Sequence, residues 1–250
     1  MQTHHYKERQ QTPSYFVSRV IVETLRYTRS NELVNISQIA DRAKTTTEQV
    51  RLILGPMLQL GDPSGVQLTY SARFKLAFEA VRNGGLQQVA RALSWQEFES
   101  FTEECLQTVG FDTQKGIIVK DDSRRWQIDV IAKKGRMILA VDCKHWESPG
   151  YDSKLRNAAD HQSLALHALL QQMTARREVE REGVLALPII LILFEPRSRE
   201  IDGAVVVSVE QFADFLEGVS PFSSELPFIH AQSIAKSSIN SCTRVRAGLR

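Results

Sequence analysis

The sequence places an acid at 129, a second acid at 142 and a lysine at 144, each inside or beside an apolar run. In "ILAVDCKHW", residues 138–146, the run Ile138 to Val141 reads as a buried strand. Alternation along it sends Asp142 and Lys144 to one face and Cys143 to the other. Asp129 lies between Ile128 and Val130 in "WQIDVIAK". An ionised carboxylate among such neighbours is costly unless it is paired or bound to a cation. If the two runs pair as a hairpin through Lys134-Gly135, Asp129 falls near the level of Asp142. Two carboxylates that close repel, and a divalent cation relieves the repulsion. Hard oxygen donors with no His or Cys cluster suit Mg²⁺ or Mn²⁺ rather than zinc. Lys144 is then placed to orient or deprotonate a water, or to stabilise charge building on a phosphate. The competing reading is plainer: a strand-end ion pair between Asp142 and Lys144, and an Asp129 held by Arg124 or Arg125.

Several elements must position these groups. "GIIVK" (116–120) and "WQIDVIAK" (126–133) flank a polar turn, and Lys134-Gly135 turns the chain into "RMILAVDCKHW", which together predict a strand meander. Before it, "SWQEFESFTEECLQTVGF" reads as a helix with Ser94 as cap and Glu97 in capping-box position. Its buried stripe is Phe98, Phe101, Cys105, Leu106 and Val109. After the meander come a long helix, "YDSKLRNAADHQSLALHALLQQ", and a fully buried strand, "LPIILILFEP". The segment "AVVVSVEQFADFLEGV" adds a short strand and a closing helix. A helix between buried strands implies a parallel or mixed sheet covered on its faces. Basic residues gather near the acids: Lys115, Lys120, Arg124, Arg125, Lys133, Lys134, Arg136 and Lys144. Such a surface suits phosphate contacts, or it is a hairpin edge kept soluble by charge.

The N-terminal third is patterned differently. From Pro13 the apolar spacing is helical, with Phe16, Val17, Val20, Ile21 and Leu25 on one face. "VNISQIADRAKTTTEQVRLILGPMLQLG" then reads as a short helix capped by Asn35 or Ser37, a Thr-rich turn, and a second helix burying Val50, Leu52, Ile53, Met57 and Leu58. That is the outline of a helix-turn-helix. "GDPSGVQLTY" supplies a turn and a short extended piece, and residues 71–82 form another helix. Asn83-Gly84-Gly85 reads as the boundary. The expected organisation is therefore 13–83 as one domain, 84–220 as an α/β domain, and 221–250 as a weakly ordered tail.

Bulk properties narrow the class. The chain has 250 residues, 42% hydrophobic and 24% charged, with a net charge of +2, ordinary values for a globular protein. Its three cysteines are scattered and odd in number, so a disulfide framework or structural zinc site is not expected and a reducing cytoplasm is. The apolar run 185–194 is too short to span a bilayer, so no membrane association is expected.

The order of the C-terminal features carries a resemblance. A helix with Glu, an acid in "QIDVIA", then "ILAVDCK" is similar to the PD-(D/E)xK nuclease superfamily. Within it, the match over residues 94–146 looks closest to Mrr-like restriction endonucleases and, more distantly, to archaeal Holliday junction resolvases. The resemblance implies a restriction endonuclease-like mixed sheet flanked by helices and a DNA substrate. It also implies Mg²⁺ (or Mn²⁺) held by Asp129 and Asp142, Lys144 as the catalytic lysine, and Glu99 completing the acidic set. Ile128 stands where the superfamily's name-giving proline stands, and Asp142 where many Mrr-like members carry Gln. Glu97, Glu103 and Glu104 compete with Glu99 for its role.

Arg124 and Arg125 of that basic stretch, and Lys154 near the start of the long helix, are candidate phosphate contacts, with a solvated surface as the alternative. His145 and Trp146 either meet the scissile region or pack where strand meets helix. The N-terminal part resembles a winged helix-turn-helix, an all-α module ahead of the α/β domain. In the DNA-reading version Thr46, Thr47, Gln49 and Arg51 face the major groove. In the other version the module makes dimer or protein contacts. Cutting both strands of a duplex takes two sites, so a homodimer is expected. The alternative to an enzyme is a DNA-binding regulator that keeps the fold without cleaving.

Overall fold

The computed structural model describes residues 13–30, 33–58, 65–120, 124–146, 152–176 and 183–231. The chain divides into two compact units, Met1–Ser94 and Trp95–Arg250. No described helix is long and apolar enough to cross a membrane.

In the first unit, α1 (Ser14–Tyr27) buries Val20, Ile21 and Leu25 completely. β1 (Val34–Asn35) leads into α2 (Ile36–Ala43), where the Asn35 side chain accepts the Ser37 N–H at 2.9 Å. Lys44, left-handed at φ 53°, ends α2. α3 (Thr47–Leu58) follows, its start capped by the Thr46 hydroxyl, which accepts the Gln49 N–H at 3.2 Å. β2 (Gly65–Val66) pairs antiparallel with β1, Val34 opposite Val66. α4 (Tyr70–Arg82) then sends the buried Arg73 to the Leu25 carbonyl and the Thr28 hydroxyl, both at 2.7 Å. α5 (Leu86–Ala92) closes the unit. Of the apolar residues expected to be buried on α3, Leu52 instead stands 62% exposed.

The expected boundary at Asn83-Gly84-Gly85 moves to Ser94, and the second glycine explains why. A Cβ on Gly85 would collide with the Ser18 hydroxyl on α1. The glycine pair therefore lets the chain turn back tightly and dock α5, rather than release it as a linker.

The second unit opens with α6 (Trp95–Thr108), which buries Phe98, Phe101 and Leu106. β3 (Asp112–Lys120), β4 (Arg125–Lys134) and β5 (Met137–Lys144) follow as an antiparallel meander. β3 begins earlier than "GIIVK" suggested. α7 (Asp152–Ala175) crosses to β6 (Leu185–Ile192), which runs parallel to β5. β7 (Glu200–Ile201), β8 (Ala204–Ser208), α8 (Phe212–Gly218) and β9 (Ile229–His230) complete the unit. Among the described residues the sheet has seven strands in the order β3-β4-β5-β6-β8-β7, with β9 added beside β6. β8 is parallel to β6, and β7 and β9 are antiparallel to their neighbours.

Every residue of β6 is buried, as expected of a strand covered on both faces. Pro188 is tolerated there because it falls between the residues paired with β9 and those paired with β8. α7 packs Ala165, Leu166, Leu169 and Leu170 on Ile128, Ile138, Ala140 and Ala186. α6 meets the opposite face, where the Cys143 sulfur lies 3.5 Å from the Thr102 hydroxyl. The tail expected from 221 is corrected as far as Ala231, since Leu185 pairs with His230. The rest of that tail lies outside the described residues.

Candidate active site

Antiparallel register brings the two acids level. Val130 lies opposite Val141 and Ile131 opposite Ala140, so one step outward Asp129 faces Asp142. The Cys143 N–H donates to Asp129 Oδ2 at 2.8 Å, which fixes the Asp129 carboxylate against the end of β5. Asp142 is 6% exposed, and Lys144 Nζ lies 2.8 Å from its Oδ2. That contact is an ion pair without hydrogen-bond geometry: the buried Oδ2 makes no hydrogen bond.

The pairs of the β3–β4 ladder join 112–115 with 130–133 and 117–120 with 125–128, leaving Gly116 and Asp129 out. Gly116 has φ +61°, a conformation that glycine adopts without strain. On β4, Ile128 and Ile131 both face α7, so strict alternation breaks between them. The break falls beside Asp129, which the β4–β5 register already sets on the side of Asp142. Gly116→Ala is expected to cost about 1–2 kcal/mol, the penalty of a left-handed non-glycine residue, read as a lower urea midpoint at unchanged slope.

Electrostatics follow from this crowding. Asp129 is pushed up to about 6, first by burial and then by the Asp142 charge. The Cys143 N–H and Lys144 oppose the rise, and a hydrogen bond to Asp142 adds to it. Half-buried Glu99 on α6 is raised to about 7, again by burial first, then by Asp129 and Asp142 against Lys115 and Lys144. Glu99 on α6 is thus in electrical contact with the pair. Glu103 is engaged elsewhere, 3.3 Å from Lys115 and accepting from Thr113. Glu97 is buried, and Glu104 is exposed. Burial holds the Cys143 thiol well above its ordinary value.

The remaining candidates are distributed around this centre. The Arg124 guanidinium lies 3.5 Å over the Trp126 ring, and Trp126 meets His161 edge-on at 5.1 Å. His161 is lowered by burial, then by Lys144 and Arg124, which places this turn of α7 beside the acids and lysine. Arg125 and Lys154 are exposed. His145 packs edge-on against Phe98 at 5.8 Å, and Trp146 packs against a cluster that includes Leu155 and Ile192. The strand–helix packing reading therefore describes both. Thr46, Thr47, Gln49 and Arg51 lie at the start of α3 in the other unit, Thr46 serving as its cap.

Sequence reasoning missed the Gly116 break, the Cys143 N–H to Asp129, Thr102 under Cys143, and Gln162 of α7. A glycine inside a strand pattern signals the first of these. Gln162 is fully buried, yet neither its nitrogen nor its oxygen has a hydrogen-bond partner.

Among the described residues, no three or more His, Cys, Asp or Glu side chains gather as a metal-binding group. The site offers two carboxylates instead, one with an unbonded buried oxygen. Two hard donors that repel one another fit a cation such as Mg²⁺, which takes one or two carboxylates and completes its shell with water and phosphate.

Residues 90–181 match the restriction endonuclease family Mrr_cat. An uncharacterized protein of Archaeoglobus fulgidus is 26% identical over 142 residues, 55% of this chain and all of its own length. The crystal structure of protein VC1899 from Vibrio cholerae aligns over 82% of this chain at 12% identity and a TM-score of 0.41. The chain spans 52% of that protein's length. The mixed sheet flanked by helices fits a restriction endonuclease-like fold.

Proposed function

We propose, from the restriction endonuclease-like nuclease domain that residues 90–181 carry, that this chain is a metal-dependent endodeoxyribonuclease of the Mrr-like type. The observation supporting it is the level pair Asp129 and Asp142 with Lys144 at 2.8 Å and Glu99 in electrical contact. Asp129 and Asp142 would hold Mg²⁺ or Mn²⁺. Bound there, the cation supplies charge neutralisation for the carboxylates and Lewis-acid stabilisation of a phosphate in its transition state.

The chain's own groups do the rest. The Lys144 ammonium, released from Asp142, orients a water or meets the developing phosphate charge. Glu99 is raised close to neutrality and suits exchange of a proton with that water. Arg124, Arg125 and Lys154 provide exposed positive charge for the DNA backbone, which gives affinity rather than sequence choice. In the first unit, the α2–α3 pair with the β1–β2 ladder supports a winged helix-turn-helix. Thr47, Gln49 and Arg51 face DNA, and Thr46 sets the helix start. A cytoplasmic homodimer is the matching assembly, one site per strand of a duplex.

The Asp142–Lys144 ion pair favours a second reading. A lysine that already neutralises the acid needs no cation, as in a non-cleaving DNA-binding regulator. Plasmid incubated with protein in Mg²⁺ or in EDTA separates the two. Nicking in Mg²⁺ that EDTA abolishes supports the nuclease. Retarded plasmid that stays intact in both supports the regulator. Including four-way junctions identifies a Holliday junction resolvase, which cuts them and spares linear duplex.

A further inference from the structure

We infer that Gln162 is a positioning residue, its side-chain amide donating to Asp142 Oδ2 when the site is in use. The inference rests on the nuclease reading and adds to it a residue on α7 that the acid–lysine set does not include.

The fold places the two groups at one level. On α7, Ala159 belongs to the cluster containing Ile190, and Ala165 and Leu166 to the cluster containing Ala140 and Ala186. Gln162 lies one turn from each on the same helix face. On the sheet, Asp142 pairs with Ile190 and Ala140 with Pro188, and Asp142 shares the face of Ala140. Gln162 therefore comes down between the two apolar clusters, where Asp142 faces α7. His161, the preceding residue, feels Lys144 and Asp129, which independently places this turn beside the acids.

The hydrogen-bond inventory points the same way. Gln162 is 0% exposed, with its nitrogen and oxygen both unpartnered, and Asp142 Oδ2 is a buried acceptor with no hydrogen bond. A buried amide left unpaired is costly, and most such groups find partners. Gln162 holds a spare donor, and Asp142 Oδ2, now in contact with the Lys144 ammonium, becomes a spare acceptor once that lysine is withdrawn. A side-chain torsion joins them when Lys144 leaves Asp142. The bond then fixes the carboxylate orientation that a cation needs, as outer hydrogen bonds to ligating carboxylates do.

Gln162→Met keeps length and burial and removes the hydrogen bonds. In calorimetric titration of DNA-free protein with Mn²⁺, the variant is expected to bind about tenfold or more weakly. Its melting temperature should not fall, and kcat for plasmid nicking should drop while KM for DNA holds. Wild-type Mn²⁺ affinity and kcat in Gln162→Met, with a changed melting temperature, overturn the inference and leave the nuclease reading standing. If Gln162→Met fails to fold, Gln162→Asn decides by the same titration: its shorter amide must bind Mn²⁺ more weakly than wild type, and unchanged affinity overturns the inference. A wild type that binds Mn²⁺ without cutting any DNA removes the nuclease reading, and weaker binding by Gln162→Met would still uphold the positioning role. A wild type that does neither overturns both.

Discussion

On the proposed nuclease reading, Lys144→Ala is expected to lower the kcat for Mg²⁺-dependent plasmid nicking by ~10²–10³-fold, the loss typical of removing one preorganised charge-stabilising group. KM for DNA stays within a few-fold. The reason lies in what Lys144 does in each state. Its ammonium sits 2.8 Å from Asp142 Oδ2 and competes with any cation for that carboxylate. Removing it takes away the competitor, so Mn²⁺ binding to the DNA-free variant is equal to or tighter than wild type while turnover collapses. Asp142→Asn behaves oppositely on the first measurement, weakening Mn²⁺ binding and cleavage together. A purely structural ion pair predicts neither pattern: both variants would lose stability, and both would bind Mn²⁺ as wild type does. Calorimetric titration beside single-turnover cleavage distinguishes the cases.

The second large effect is on stability and its pH dependence. Asp129 rises from 3.8 to about 6 in the folded protein. As pH climbs past 3.8 the unfolded chain gives up this proton first, so the folded state is progressively disfavoured. The loss is complete once pH exceeds the folded value near 6. Glu99 acts in the same direction from 4.5 to about 7, but its solvent exposure reduces what that rise is worth. For Asp129 the upper bound is about 3 kcal/mol. In metal-free buffer, Asp129→Asn therefore gains roughly 2–3 kcal/mol relative to wild type between about pH 4 and about pH 7. On the proposed metal role, saturating Mg²⁺ at neutral pH is expected to stabilise the wild type and leave the variant nearly unmoved. A wild-type-to-variant difference that is flat with pH in urea unfolding would sink this account.

The grouping of the candidate site residues was readable in the sequence because it is local. Asp129, Asp142 and Lys144 flank one hairpin, and a two-residue period with a Lys134-Gly135 turn is enough to bring the acids level. The strand β6 was readable for another reason: eight buried residues in a row have few other places to go. Features set by tertiary packing were not readable. Leu52 has the helical spacing of a core residue yet ends in solvent, because periodicity does not say which face of a short helix finds a neighbour. β7 and β9 are two residues long, too short to carry any alternation, and exist only because β8 and β6 offer open hydrogen bonds. Gly116 looked like the start of a strand and is instead an interruption inside one. The boundary was misjudged at a glycine pair whose second member serves contact with Ser18 rather than chain release.

The sheet changes direction at β5, antiparallel on one side and parallel on the other, and this divides the consequences of mutation along the chain. Every acidic or cationic group of the hairpin lies on the antiparallel side or on β5 itself, within the span 99–144. The parallel strands β6 and β8 supply buried surface that is apolar except for Ser208. A Leu or Ile truncated there leaves a void and costs about 2–5 kcal/mol, which lowers the amount of folded protein without altering how each folded molecule reacts. Damage on one flank of β5 is thus a matter of dosage, and damage on the other a matter of chemistry.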